Sequence, residues 1–125
     1  MTAPYRILVT GSRDWDDEQE LRYALIHAAT PYLPSVTVVH GACPTGADAM
    51  AGEWASNMAV AVEEHPADWE RFGKAAGFRR NAEMVDAGAA ICLAFIRNGS
   101  KGATHTADLA GNAGILVRRY LRGTS

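Results

Sequence analysis

Short apolar runs rich in β-branched residues alternate with helix-spaced runs along this chain, and three of them end in glycine turns. Residues 5–10 (YRILVT), 36–40 (VTVVH), 60–64, 89–96 (AAICLAFI) and 115–120 read as strands, most continuously apolar where both faces would be buried. Between them Leu21, Ala24, Leu25 and Ala28, then Ala47, Met50, Ala51, Trp54, Ala55 and Met58, recur at helical spacing. Asp16 and Gln19 have the pattern of a capping box before the first of these helices, and Pro31 and Pro34 stop it. Residues 79–87 and 102–113 complete the helical set, and 123–125 read as a frayed end. A strand–helix–strand order of this kind demands parallel pairing, because each right-handed crossover returns the chain to the same end of the sheet. The expected fold is a Rossmann-like three-layer α/β/α sandwich with a parallel sheet of about five strands. At 125 residues, one domain spanning 1–125 accounts for the chain.

Ligands of such sheets sit beyond the carboxyl ends of the strands, where strand order reverses. All three glycine turns fall there: Thr10-Gly11-Ser12-Arg13, the loop His40-Gly41-Ala42-Cys43-Pro44-Thr45-Gly46-Ala47-Asp48, and Asn98-Gly99-Ser100-Lys101-Gly102. The second reads as a strand-to-helix phosphate loop, with backbone N–H groups and the Thr45 hydroxyl offered to a phosphate or ribose. It is not a Walker loop, because Ala47 and Asp48 stand where Lys and Ser/Thr are required, and G-x-G-x-x-G is absent. The alternative is a tight turn in which Thr45 caps the helix and Asp48 closes a capping box.

Arg13, Arg79, Arg80 and Lys101 are either rim charges for a phosphate or solvated surface charges. Trp69, in the irregular segment 65–78, either stacks on a base or plugs the edge of the core, and Trp15 shields the first loop or caps the first helix. His40, at a strand's carboxyl end, is a candidate acid or base with a structural alternative. Cys43 precedes a helix N-terminus, which lowers a thiol's pKa, yet it lacks a recognisable base partner.

Twelve Lys+Arg against fourteen Asp+Glu leave a net charge of −2, which disfavours bulk nucleic-acid binding. Cys43 and Cys92 make no disulfide framework, and His27, His65 and His105 show no metal spacing, so no metal and no cofactor is expected. No basic-then-apolar leader opens the chain and no apolar run approaches 18 residues, so a cytoplasmic protein without membrane contact is expected.

Gly11-Ser12-Arg13 with Trp15, His40-Gly41 with Gly46-Ala47-Asp48, Pro66-Ala67-Asp68-Trp69, Gly73-Lys74 with Ala76-Gly77, and Arg80-Asn81 with Met84 occur in order over nearly the whole chain. This set resembles the YspA/cpYpsA-related branch of the SLOG superfamily, found in actinobacteria and their phages. The resemblance implies a Rossmann-like domain that binds nucleotides or nucleotide-derived ligands at the carboxyl rim, with dimerisation through the helices. Its wider superfamily includes cytokinin-activating phosphoribohydrolases, whose sites carry R-K-x-x-M and P-G-G-x-G-T-x-x-E. Arg80-Asn81-Ala82-Glu83-Met84 is similar to the first, with Asn81 in place of Lys. The stretch from Asn98 to Thr104 resembles the second loosely, and no Glu follows where that motif has one.

The expected ligand-binding set is Gly11, Ser12, Arg13, His40, Gly41, Thr45, Gly46, Asp48, Trp69, Arg80, Asn81, Gly99, Ser100, Lys101, Gly102 and Thr104. The leading expectation is a protein that senses, sequesters or presents a nucleotide-like small molecule. The alternative is a hydrolase of the base–ribose bond, with Asp48 or Asp68 activating water and Asp108 or Glu83 as substitutes for the missing Glu. A DNA-handling role has fold analogy as its only support.

Overall fold

Successive residues of the first strand face two separate cores, and the layering follows from covering both. The computed structural model describes residues 3–123. In chain order the elements are β1 (Tyr5–Gly11), α1 (Glu18–Ala29), β2 (Val36–His40), α2 (Gly46–Asn57), β3 (Ala61–Glu64), α3 (Trp69–Phe72), α4 (Ala76–Asp86), β4 (Ile91–Arg97), α5 (Lys101–Asn112) and β5 (Leu116–Arg122). Single 3-10 turns lie at Thr30–Tyr32 and Gly73–Ala75.

The strands form one parallel sheet in the order β3-β2-β1-β4-β5. On one face Ile7 and Val9 pack with Leu21 and Leu25 of α1 and with Ala51 and Trp54 of α2. On the other, Leu8 and Cys92 pack with Met84 and Val85 of α4 and Ala110 of α5, and Ala94 and Ile96 continue that layer against Ala103 and Ala107. Each fully buried Leu, Ile or Val contributes about 1.5–3 kcal/mol of transfer free energy, so this double coverage is what holds the central strands. The result is the three-layer α/β/α sandwich that the alternating runs predict. No helix among the described residues is long and apolar enough to cross a membrane.

Several boundaries differ from the sequence reading. The cap of α1 is Asp17, whose side chain accepts from the Glu20 amide at 3.1 Å, one residue beyond the expected Asp16 and Gln19. The shift has a long-range cause, since Asp16 is drawn to Arg97 at 3.0 Å. Trp15 is buried against Phe95 and donates its indole N–H to the Asp17 carbonyl, which fixes where the helix begins. α4 starts at Ala76, so Arg79 and Arg80 lie a turn inside it rather than opening it. The segment expected to be irregular, 65–78, thus contains α3, a 3-10 turn and the first residues of α4. β5 runs to Arg122, two residues past its expected end, and of the expected frayed end only Gly123 falls within the described residues.

The exposed edge strand β3 is tied back across β2 by charge. Arg6 on β1 meets Glu63 through two 2.8 Å bonds, and His65 meets the same carboxylate at 2.7 Å. Arg6 first and His65 second hold the Glu63 carboxyl down at about 2, against an ordinary 4.5. A depressed carboxylate contributes stability that is complete above its unfolded pKa and disappears as pH falls through the folded value. The gap in melting temperature between the wild type and Glu63→Gln is expected to be widest near neutrality and to shrink between pH 4.5 and about 2. Thermal melts across that range check it, and a gap of constant size would contradict the assignment.

Candidate functional site

Strand order reverses between β1 and β4, so their carboxyl ends diverge and leave a crevice. A cavity of about 600 Å³ occupies it. Its floor is Thr10, Gly11 and Ser12 at the end of β1 together with Cys43 and Asp48. One wall carries Trp69, Lys74, Gly77, Phe78, Arg80, Asn81 and Met84. The other carries Arg97, Asn98, Ser100, Gly102 and Ala103, and Arg13 and Asp14 stand at the edge.

The local backbone explains why the loop from His40 to Asp48 does not itself open into this cavity as a phosphate cradle. Gly46 has φ +72°, and a Cβ there would fall 2.2 Å from the Ser12 carbonyl oxygen. A Cβ on Gly11 would fall 2.3 Å from that of Ala47. Glycine at both positions therefore lets the turn after β1 press onto the start of α2. Ser12 O then accepts from the Ala47 amide at 3.3 Å and occupies one of the helix's orphan donors.

Two further amides of the loop are used internally. Ala42 N–H donates to His40 Nδ1 at 2.9 Å, and Cys43 N–H donates to the Asp48 carboxylate at 3.2 Å. The alternative expectation of a capping box also needs correction. Thr45 is the cap residue but its hydroxyl makes no cap bond, and Asp48 reaches Cys43 instead.

The open helix end is that of α5. Its cap, Ser100, makes no side-chain cap bond, and Thr104 N–H is the first to find a helical acceptor, Ser100 O at 3.1 Å. The amides of Lys101, Gly102 and Ala103 precede the hydrogen-bond ladder, and Gly102 and Ala103 line the cavity. A helix end of this kind carries a partial positive charge.

Arg80 is a strut as much as a charge. Its guanidinium donates to the carbonyls of Gly41 and His65, at 3.4 Å to the latter, and to Asn81 Oδ1 at 2.8 Å. Asn81 is buried and turns its amide toward Gly102 O and His105 Nδ1, both at 3.4 Å, which couples α4 to the start of α5. Four cationic side chains line the cavity, Arg13, Lys74, Arg80 and Arg97, against the carboxylates Asp14 and Asp48. Arg97 is partly neutralised by Asp16 at 3.0 Å and Asp14 at 4.0 Å.

Of the expected ligand-binding residues, Gly11, Ser12, Arg13, Asp48, Trp69, Arg80, Asn81, Ser100 and Gly102 line this cavity. His40, Gly41, Thr45, Gly46, Gly99, Lys101 and Thr104 are not among its lining residues. His40 lies on the far side of its loop, facing Gly52. Its Nδ1 is engaged by Ala42, and its Nε2 is buried without a hydrogen-bond partner among the described residues. Ser12 is buried, with Oγ accepting from Arg97 N–H at 2.8 Å, so its side chain joins β1 to β4.

The alternative acids are dispersed. Asp68 caps α3 by accepting from Arg71 N–H, Asp108 pairs with Arg119 at 2.7 Å, and Glu83 is exposed outside the cavity. Arg79 packs on the Phe72 ring, 3.9 Å from its centroid. Among the described residues no three His, Cys, Asp or Glu side chains come together to hold a metal.

Sequence reasoning passed over Thr10, Asp14, Lys74, Gly77, Phe78, Met84, Arg97, Asn98 and Ala103 as site residues. Arg97 was findable, since it ends a strand immediately before a glycine turn. Lys74, Gly77 and Met84 stand in the motifs that carry the resemblance. Phe78 has no local signal, because only the observed start of α4 turns it toward the crevice.

Burial sets the acid–base character of the loop. Desolvation raises the Asp48 carboxyl, with the Cys43 amide, His40, the Cys43 thiol and Arg80 opposing it. Desolvation also raises the Cys43 thiol, and the Asp48 charge adds to the effect. This reverses the lowering expected from the helix N-terminus, where the Ala47 amide is taken by Ser12 O. Iodoacetamide at pH 8 is expected to modify Cys43 more slowly than free cysteine, and Asp48→Asn to speed that reaction by removing the adjacent charge. Peptide mass mapping reads both rates, and a Cys43 faster than free cysteine would contradict the assignment.

The family model described as the YspA, cpYpsA-related SLOG family matches residues 5–72, from β1 through α3. The Gene 61 protein of Mycobacterium phage D29 is 46% identical over 123 residues, covering 92% of this chain and 95% of the relative. No solved structure gives a significant match. The order of glycine turns, the reversed strand order and these two likenesses agree, and the chain belongs to the YspA, cpYpsA-related SLOG family.

Proposed function

We propose that the cavity between β1 and β4 binds a nucleotide or nucleotide-derived anion, which the protein senses, sequesters or presents. The observation that carries this is charge in a defined place: four cationic side chains against two carboxylates around about 600 Å³ at the switch point of the sheet. Membership of the SLOG family supports a nucleotide-related ligand. The first turn of α5, with Ser100, is the natural seat for a phosphate, because its amides are unspent and its dipole favours an anion. Lys74 and Arg13 add exposed charge at the rim, and the half-exposed indole of Trp69 offers a stacking face for a base. Arg80 fixes the wall between them by holding Gly41 and His65. Under this proposal the whole chain acts as one nucleotide-binding domain.

A second reading has one specific observation in its favour. Asp48 is a buried carboxylate in the cavity floor with a raised pKa, the environment of a general acid. Its ties to the Cys43 amide and thiol favour a structural role over hydrolysis of the base–ribose bond.

Thermal melting against millimolar nucleoside mono- and diphosphates and ADP-ribose tests binding, because a ligand of the native state raises the midpoint by mass action. At least one of these is expected to raise it, and Lys74→Ala to weaken that ligand by about tenfold through loss of a charge-assisted contact. The absence of any shift would overturn the binding proposal. Chromatography of the stabilising ligand is expected to show no released base. Steady release abolished by Asp48→Asn would establish the hydrolase instead.

A further inference from the structure

Trp69 opens α3, is 49% exposed and lines the cavity, but its indole is not bare. Its ring edge comes within 3.3 Å of where a side chain on Gly77 would begin, which sets the ring against α4. The Arg13 guanidinium lies over the ring, 5.7 Å from its centroid. A flat base entering between the two would need two contacts of about 3.5 Å each, so it cannot enter while Arg13 stays where it is.

Arg13 differs from the other arginines near the strand ends. Arg6, Arg97 and Arg122 each hold a carboxylate, whereas Arg13 makes no ion pair or hydrogen bond among the described residues. It is exposed, follows the glycine turn of β1, and rests on Trp69 by the weak attraction of a cation for a ring face. A phosphate offers that guanidinium a stronger, bidentate partner.

We propose that Arg13 is a gate that makes base stacking on Trp69 conditional on a phosphate. The phosphate draws the guanidinium off the indole, and the base takes the face it vacates. This inference rests on the nucleotide-binding proposal above and adds a specificity to it. The site selects nucleotides over nucleosides with the same base, because Arg13 attracts the first and obstructs the second.

Trp15 and Trp54 are buried, at 2% and 3% exposure, so a stacking ligand reports through Trp69 fluorescence. The test titrates each nucleoside 5′-monophosphate and its matching nucleoside into the wild type, Arg13→Ala and Arg13→Gln, with thermal melts verifying that the exposed substitutions leave the fold intact. The wild type is expected to bind its preferred nucleotide at least about tenfold more tightly than the nucleoside. Both variants are expected to weaken the nucleotide and tighten the nucleoside, so the ratio falls about tenfold. A ratio unchanged in variants that still bind nucleotide would overturn the gate and leave the nucleotide site standing. Nucleoside binding weakened by loss of Arg13 would overturn it equally. Failure of every nucleotide to bind the wild type would overturn the nucleotide proposal and the gate with it.

Discussion

A carbonyl seated on a helix end shapes the crevice of this fold. Ser12 O accepts from the Ala47 amide, and the contact exists only because Gly11 and Gly46 let the turn after β1 approach the start of α2 to within the space of a methyl group. The same turn is joined to β4 through Ser12, whose amide donates to Phe95 O at 2.9 Å and whose hydroxyl accepts from Arg97 N–H. One residue thereby links the central strand to its neighbour and to the helix beyond β2. The geometry of the crevice follows from that junction.

The junction takes the Ala47 amide of α2, whereas at the start of α5 the amides of Lys101, Gly102 and Ala103 all precede the hydrogen-bond ladder. The loop from His40 to Asp48 becomes a wall, satisfied from within by His40 Nδ1 and Asp48 and braced from outside by Arg80. Burial of Asp48 and Cys43 then raises both pKa values, which leaves the Cys43 thiol short of the activated nucleophile that a lone glance at the loop's residue types invites. The positive charge of the crevice lies instead at the rim and on the α4 wall, where Lys74 and Arg13 are exposed and Arg80 is already half spent on carbonyls.

The sheet, its layers and the place of the crevice at the strand carboxyl ends were legible in the chain, because alternation of apolar runs and the location of glycine turns are local properties. The roles within the site were less so. Whether Ala47 N–H meets a phosphate or the Ser12 carbonyl depends on a contact between two loops far apart in sequence, and no spacing within residues 40–48 encodes it. Asp16 lost the capping role to Asp17 for a similar reason, since Arg97 competes for it from another strand. Phe78 and Arg80 face the crevice because α4 begins at Ala76, a boundary hidden by the glycines and short turns of the preceding segment. Lys74 and Arg97, by contrast, were readable from motif and strand end and were passed over.

The direct measurement of the central claim is an amide chemical-shift map of the isotope-labelled protein titrated with a nucleoside diphosphate. The largest changes are predicted at the first-turn amides of α5, Gly102 and Ala103, with accompanying shifts in the Trp69 indole. Gly46 and Ala47, whose helix end is occupied by Ser12, are predicted to move little. Changes centred on Gly46 and Ala47 with α5 unaffected would contradict the account.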